Sequence, residues 1–561
     1  MKHFIKDVEI APENILGIGI SCDFNAGADQ NKITTDSLIL PREGYNIVMN
    51  HIDNVGLFEG IPYDIEFYQG KKLSYFIDLT EGLKIKDTKV ECNIKVRNQH
   101  DHFFDKAESL VFGVVHNKTP FVGFQLKYQV LPKDAVGQGI SCLIGIYMIS
   151  MSIADQTREL ATTAKEAGSA IAYAPFAVQG KLLEAGIKLI IQIAYLAVLT
   201  YQAITLVKKM YELVLPPTKK INACTVYELI NKSCEYLGYK FKSSWLSTEY
   251  KDMAIVPIPL NSTEKKWYEL LQNDIVVPYN NVYPSSSDST PTLGSLLNAM
   301  VLFCNGKIKV TDKLVELERW DYWKLKSSGS IKSSLTIQGE RTNAYSYDFS
   351  RLFKRYYIHY DKDYSDLNTL DNFNNTHAEY SLDLVSVTDK NLTLIKGGTD
   401  VPIPFARATA KSKLTWIEKQ FKGLFKLIDK VGSSNTQAKF DTYGIMQVTE
   451  PFFSTSKLII HDGGGKISSN NASLLYATTL WDKFHFINNP LTYQNILREN
   501  VRVAMSPEEF IKIFNNNFVE IDGLICEVTK MEYFDMGNYA IISYKEPKNI
   551  FKKQITLTKI F

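Results

Sequence analysis

Residues 135–154 read AVGQGISCLIGIYMISMSIA and residues 189–207 read LIIQIAYLAVLTYQAITLV, twenty and nineteen consecutive positions without Asp, Glu, Lys or Arg. Each window is close to the ~20 residues that a helix needs to cross a bilayer. Both also carry side chains that lipid-facing helices seldom hold: Gln138, Ser141, Ser150 and Ser152 in the first, Gln192, Thr200, Gln202 and Thr205 in the second. Between them Leu160, Ala164, Ala167, Ile171, Ala174, Val178 and Leu182 recur every three or four residues, the spacing of one helix face, and Pro175 breaks or bends the run. The pattern predicts a long helical hairpin inserted between Pro132 and the Pro216-Pro217 pair. It packs against protein, copies of the same chain above all, through Ile144, Ile149, Ile190, Ile193, Leu196, Ala197 and Ile204. The competing reading is insertion into a membrane, for which Gly137, Gly139 and Gly145 would allow close helix packing.

Outside this stretch the chain reads as mixed strand and helix. The predicted fold class is therefore α+β and multidomain, with β-barrel-like domains and small αβ modules around a long apolar helical insertion. Five segments follow: an N-terminal β domain over 1–131, the insertion over 132–217, duplicated αβ modules over 218–330, a second β domain over 331–470, and a C-terminal α+β domain over 471–561. At 561 residues several cores are expected. A formal charge of +2 gives no global pull toward nucleic acid or an anionic membrane. The seven cysteines, Cys22, Cys92, Cys142, Cys224, Cys234, Cys304 and Cys526, are odd in number and show no CxxC spacing, which fits reduced, buried side chains from a reducing cytoplasm. The first seven residues, MKHFIKD, are too polar for a secretory signal, so export would be by lysis or within a particle.

Local signals place the elements. Val90, Cys92, Ile94 and Val96 alternate with charged or polar neighbours, as in a strand with one wet face, and residues 61–67 and 73–79 flank Gly70 as a hairpin. Thr225 and Thr292 open two similar units, each a short helix capped by threonine and then a strand, with Lys240 and Lys307 at the same offset. The second unit continues as helix, strand, turn and strand through Trp320, Asp321, Tyr322 and Trp323. Residues 408–431 form an amphipathic helix, with Leu414, Ile417, Phe421, Leu424, Phe425, Ile428 and Val431 on one face. Ser506-Pro507-Glu508-Glu509 is a capping box, and Asp522-Gly523 lies between two strand-like runs as a two-residue hairpin turn.

No arrangement of residues argues for catalysis, and neither a metal nor another cofactor is expected. His100, Asp101, His102, Asp105 and His116 could donate to a divalent ion but match no zinc spacing, and a polar loop fits them better. The run from Asp361 starts like a calcium loop, yet Asp366 replaces the turn glycine and Asn372 the bidentate glutamate, so a turn is expected. His461-Asp462-Gly463-Gly464-Gly465-Lys466 superficially resembles a phosphate loop but lacks the strand, GxxxxGK[ST] and helix context, and a mobile tight loop is expected instead. His485, among Trp481, Phe484 and Phe486, reads as a core or interface histidine. A wall hydrolase is disfavoured because no paired acid and nucleophile stand out.

Several segments occur in order: EGIPYDIEF at 59–67 with YFIDL at 75–79, TLGSLLN at 292–298 through LERWDYW at 317–323, PFARAT at 404–409, and LWDKFHFIN at 480–488 with the C-terminal helix and hairpin. Together they resemble bacteriophage and prophage tail proteins and, more distantly, the baseplate hub and tail-tip proteins of the late control protein D group. The resemblance implies a non-enzymatic structural virion protein made in the host cytoplasm and joining the tail tube to the spike or fibre apparatus. It also implies a homo-oligomeric ring, commonly a trimer, in contact with other tail proteins and the tape-measure protein. The insertion departs from the simplest hubs and leaves open a transient membrane contact during genome or effector delivery.

Overall fold

The computed structural model describes residues 2–131, 219–256, 276–277, 292–361, 376–410, 444–485, 496–547 and 555–559, less short stretches within these ranges. Nine strands open the chain: β1 (Lys2–Ile5), β2 (Val8–Ile10), β3 (Ile20–Asp23), β4 (Lys32–Thr35), β5 (Leu38–Pro41), β6 (Ile61–Glu66), β7 (Lys72–Asp78), β8 (Lys84–Lys86) and β9 (Lys89–Val96), with helix α1 (Glu43–Asn54) before β6. They pair in the order β2-β1-β6-β7-β9-β4-β3, with β5 and β8 also on β9. The expected hairpin is β6–β7, in register from Ile61↔Ile77 to Glu66↔Lys72. Alternation works as predicted in β9, where Val90, Cys92 and Ile94 are buried. One polar pair enters this core: His3 Nδ1 lies 2.6 Å from the Tyr63 hydroxyl.

The middle of the chain carries α2 (Gln99–Ser109), α3 (Phe112–Lys118), β10 (Phe124–Leu131), β11 (Lys219–Thr225), α4 (Val226–Tyr236), β12 (Lys240–Lys242), β13 (Met253–Val256), β14 (Val276–Val277), α5 (Leu293–Cys304), β15 (Gly306–Thr311), β16 (Leu314–Arg319) and α6 (Trp320–Gly329). Both threonine caps form: Thr225 Oγ1 accepts from Glu228 N at 3.1 Å and Thr292 Oγ1 from Ser295 N at 3.2 Å. The two similar units converge on one sheet, since β12 lies parallel to β16 and β15 antiparallel to it. The strand expected through Trp323 instead stops at Arg319, and Trp320 begins α6. Burial accounts for the change. Trp320 meets Phe518 edge-on at 5.6 Å, the Trp323 carbonyl accepts from Asn516 Nδ2 at 2.8 Å, and Trp323 is itself buried. The spacing of three residues puts both indoles on one helical face, which a strand would not do.

The remaining strands are β17 (Ser334–Ile337), β18 (Ser346–Tyr347), β19 (Arg355–Tyr360), β20 (His377–Leu384), β21 (Gly398–Ile403), β22 (Ala406–Arg407), β23 (Met446–Thr449), β24 (Lys457–Ile460), β25 (Ile496–Ala504), β26 (Phe518–Ile521), β27 (Leu524–Phe534), β28 (Tyr539–Glu546) and β29 (Ile555–Lys559), with α7 (Pro507–Asn515) after β25. β17, β25, β28, β27 and β26 close on themselves as a five-stranded barrel, the parallel β17–β26 pair completing the ring. Its hairpin turns on Asp522 and Gly523, whose φ values of 50° and 77° are both positive, as a two-residue type I′ turn requires. Helix α7 starts on a complete capping box, in which Glu509 N donates to Ser506 Oγ and the Glu509 carboxylate accepts from Ser506 N. Such a cap contributes about 1 kcal/mol.

β3 pairs with β27, from Ile20↔Tyr533 to Asp23↔Lys530, so the N-terminal sheet and the C-terminal barrel share one sheet and one core. A second core belongs to the middle of the chain, where β22-β24-β13-β11-β10-β23 and the β21-β19-β20-β29 sheet pack with α4 and α5. The fold is α+β and multidomain, as the sequence predicts. The apolar insertion, including Ile144, Ile149, Ile190, Ile193, Leu196, Ala197 and Ile204, lies outside the described residues, as do most of the amphipathic helix over 408–431 and the turn after Asp361.

Candidate attachment site of the apolar insertion

The contact residues assigned to the insertion lie outside the described residues, and its two roots lie within them. β10 ends at Leu131 and β11 begins at Lys219, and the two strands pair antiparallel from Phe124↔Ala223 to Tyr128↔Lys219. On its other side β10 pairs parallel with β23, from Tyr128↔Met446 to Leu131↔Thr449. The whole stretch between 131 and 219 therefore leaves from, and returns to, adjacent strands of a sheet whose Leu126, Tyr128, Ile221 and Ala223 are buried. Among the described residues no helix is long and apolar enough to cross a membrane.

The glycine loop at 461–466 clamps this root. Asp462 Oδ1 accepts the amides of Gly464 at 2.8 Å and Lys466 at 2.9 Å, while Asp462 N donates to the Lys466 carbonyl at 2.9 Å. Partial burial raises the Asp462 carboxyl, but the bound amides and the Lys466 charge outweigh it and hold the group below the usual carboxylate range. Amides that a phosphate would need are thus occupied by the loop's own carboxylate. The expected tight loop is present, and its outward contacts go to β10 and to Asp252, whose carbonyl accepts from His461 N at 3.0 Å. Lys127 N donates to the Gly465 carbonyl at 2.8 Å, and the His461 imidazole stacks on Phe124 with centroids 3.8 Å apart. At Gly465, whose φ is 83°, an added Cβ would collide with the Gln125 carbonyl oxygen. The Asp-Gly-Gly-Gly order signals the turn, but nothing local in the sequence names β10 as its target.

A second clamp, which carries no local signal in the sequence, holds the approach to β10. The Glu228 carboxylate accepts Val122 N at 2.5 Å and Gly123 N at 3.2 Å, fixing the loop that leads into β10. The histidines expected in a polar loop are instead helical: His102 and Asp105 lie exposed on α2, and His116 lies in α3 with Nδ1 accepting from Phe121 N at 3.1 Å. Among the described residues no three metal-ligating side chains converge.

No family model and no curated protein sequence matches this chain. Among solved structures, prophage tail protein gp18 from Listeria monocytogenes EGD-e is similar. The likeness covers 97% of this chain and 92% of that one, at a TM-score of 0.32 and 6% identity.

His485 sits in the aromatic core as expected. Burial pushes its imidazole down to about 4, against a smaller upward pull from the Phe303 carbonyl, 3.4 Å from Nε2. The neutral ring is favoured in the fold, so its contribution is complete above about pH 6.5, the ordinary histidine value, and is lost as pH falls toward 4. A shift of that size corresponds to about 3 kcal/mol. The urea midpoint of the wild-type protein should fall between pH 6.5 and pH 4. His485→Phe should flatten that slope, and an equal slope in both proteins would show that the decline arises elsewhere.

Proposed function

We propose that this chain is a non-enzymatic structural protein of a phage-type tail, a baseplate hub or tail-tip component that joins the tail tube to the spike or fibre apparatus. The observation that carries the reading is the scaffold itself. One core unites the N-terminal sheet with a closed barrel, a second core holds αβ units between them, and the long apolar stretch is rooted in the second core. The segments that carry the sequence resemblance support it by their positions. EGIPYDIEF contains β6, LERWDYW runs from β16 into the joint at Phe518, PFARAT contains β22, and LWDKFH lies in the aromatic core. In this role the protein is a virion component made in the host cytoplasm. It assembles as a ring, with a trimer most expected, and meets other tail proteins and the tape-measure protein. Gold-labelled antibodies against the chain should mark one tip of tail particles from producing cells, and particles that lack the protein would overturn the proposal.

The insertion supplies the contact within that assembly. Leu196→Asp or Ala197→Asp should abolish incorporation into particles while circular dichroism of the full chain stays close to wild type, because a buried unpaired carboxylate costs several kcal/mol at a protein contact. Normal particles bearing either change would argue against it. The two uncharged windows favour one second reading, a protein that perforates membranes during delivery. Under that reading the full chain releases dye from liposomes and loses the activity when residues 135–214 are deleted.

A further inference from the structure

His461 stands where the glycine loop leaves β24, with its ring stacked on Phe124 of β10 and only 11% of its side chain exposed. Its backbone is fixed as well. His461 N is bonded to the Asp252 carbonyl, and an antiparallel bridge joins His461 to Ile467. Ile467 N in turn donates to the carbonyl of Gly444, two residues before β23. One imidazole therefore sits among β10, the glycine loop and the segment that leads into β23, the elements that hold the root of the insertion.

The two ring nitrogens have opposite partners. Nδ1 lies 3.0 Å from Gly463 N, an amide that can only donate, so Nδ1 accepts and the ring hydrogen sits on Nε2. Nε2 lies 3.9 Å from Asp252 Oδ1, beyond hydrogen-bond distance but within reach of the carboxylate's charge. The loop is thus built on the neutral tautomer. A second proton has only Nδ1 to occupy, and there it meets the Gly463 N–H, so an accepted bond becomes two opposed donors.

The charges around the ring pull both ways. Asp252, in the turn before β13, and Asp462, next in the chain, favour the second proton. Lys466 acts on Asp462, and Lys127 of β10 lies beside Gly465. Burial opposes the proton and outweighs both carboxylates, holding the imidazole below its ordinary value. The neutral ring therefore contributes fully above about pH 6.5, and that contribution is lost as pH falls through the lowered value. The Phe124 stack does not share this dependence, because a cation over an aromatic face is itself attracted. Acid changes one hydrogen bond and leaves the ring in place.

We propose that His461 is an acid-sensitive latch: a proton taken from solvent breaks its bond to Gly463, loosens the glycine loop from β10 and unclamps the root of the stretch between 131 and 219. The latch goes beyond the tail reading and does not need it. The test follows the full chain from about pH 7 to about pH 4.5 by hydrogen exchange and by NMR of labelled histidine and glycine. Protection of the Lys127 amide, corrected for intrinsic exchange, should fall at least about fivefold in the wild type. The Gly463 amide proton should shift with the same midpoint as the His461 ring. His461→Asn puts a side-chain oxygen in place of Nδ1 and cannot titrate, so Lys127 should stay protected across the range. His461→Phe keeps the stack without the acceptor, and protection should be reduced at every pH. His485 is present in all three proteins, so its own loss in acid cancels. Asp252→Asn removes a carboxylate that favours the proton and should move the midpoint to lower pH, while its backbone carbonyl still receives His461 N. Protection that is flat in the wild type, falls equally in His461→Asn or stays high in His461→Phe would overturn the proposal. So would a Gly463 amide that titrates apart from the His461 ring, or a midpoint that Asp252→Asn leaves unmoved.

Discussion

Gly465→Val should detach the glycine loop from β10 and expose the root of the apolar insertion. The residue stands at φ 83°, where a β-branched side chain is strained, and its Cβ would fall within the Gln125 carbonyl oxygen. Backbone strain of about 1–3 kcal/mol and overpacking of about 1–3 kcal/mol act together, because the obstacle is backbone that cannot swing away. Hydrogen exchange reads the effect locally. The amide of Lys127, bonded to Gly465, should lose most of its protection, and its neighbours in β10 should follow. Gly463→Ala provides the contrast, since Gly463 has a similar φ of 80° but nothing near its missing Cβ. It should cost only about 1 kcal/mol of strain. Unchanged protection at Lys127 in Gly465→Val would mean that the loop does not hold the strand.

Phe303→Ala should be the most damaging single truncation in the second core. The ring is fully buried, stacks on Trp245 at 5.9 Å, meets Tyr250 edge-on at 5.7 Å and lies 5.9 Å from Phe484. Four elements meet there: α5, the residues around Trp245, the turn before β13, and the segment at 481–485. Truncating such a ring costs about 3–5 kcal/mol, because aromatic neighbours on rigid elements cannot collapse into the void. The expected result is a large drop in the urea midpoint and loss of the near-ultraviolet tryptophan signal. Phe58→Ala, an equal truncation at the surface, should leave both unchanged. A small effect at Phe303 would mean that the cluster relaxes around the gap.

The features legible in the sequence are those whose physics is local. The Asp522-Gly523 turn, the Ser506–Glu509 box and the caps at Thr225 and Thr292 are each decided within four residues, and each forms as read. The β6–β7 hairpin and the burial of Val90, Cys92 and Ile94 follow from period-two patterning. Pairings between distant segments leave no such mark. The parallel β17–β26 contact that closes the barrel, and the parallel β12–β16 contact that unites the two similar units, depend on geometry accumulated over long stretches of chain. Trp320 to Trp323 misleads for a related reason: aromatic residues favour strands on propensity, but a barrel residue, Phe518, makes a helical face the better burial. At the attachment site, the loop's composition identifies a turn, while its grip on β10 rests on the Lys127 amide, bonded to Gly465, and the Phe124 ring, stacked on His461.

The pairing of β3 with β27 sets a schedule for biosynthesis. Ile20 meets Tyr533, a separation of 533 − 20 = 513 positions. At typical translation rates the ribosome needs about 25 to 100 s to cover that distance. Throughout this interval β3 has β4 on one side and an open edge on the other, with part of the first core uncovered. An exposed strand edge beside apolar surface is where a nascent chain pairs with the wrong neighbour. Nascent chains arrested before residue 524 should therefore engage chaperones or aggregate more readily than those released after β28, and the demand should end once the last barrel strands emerge.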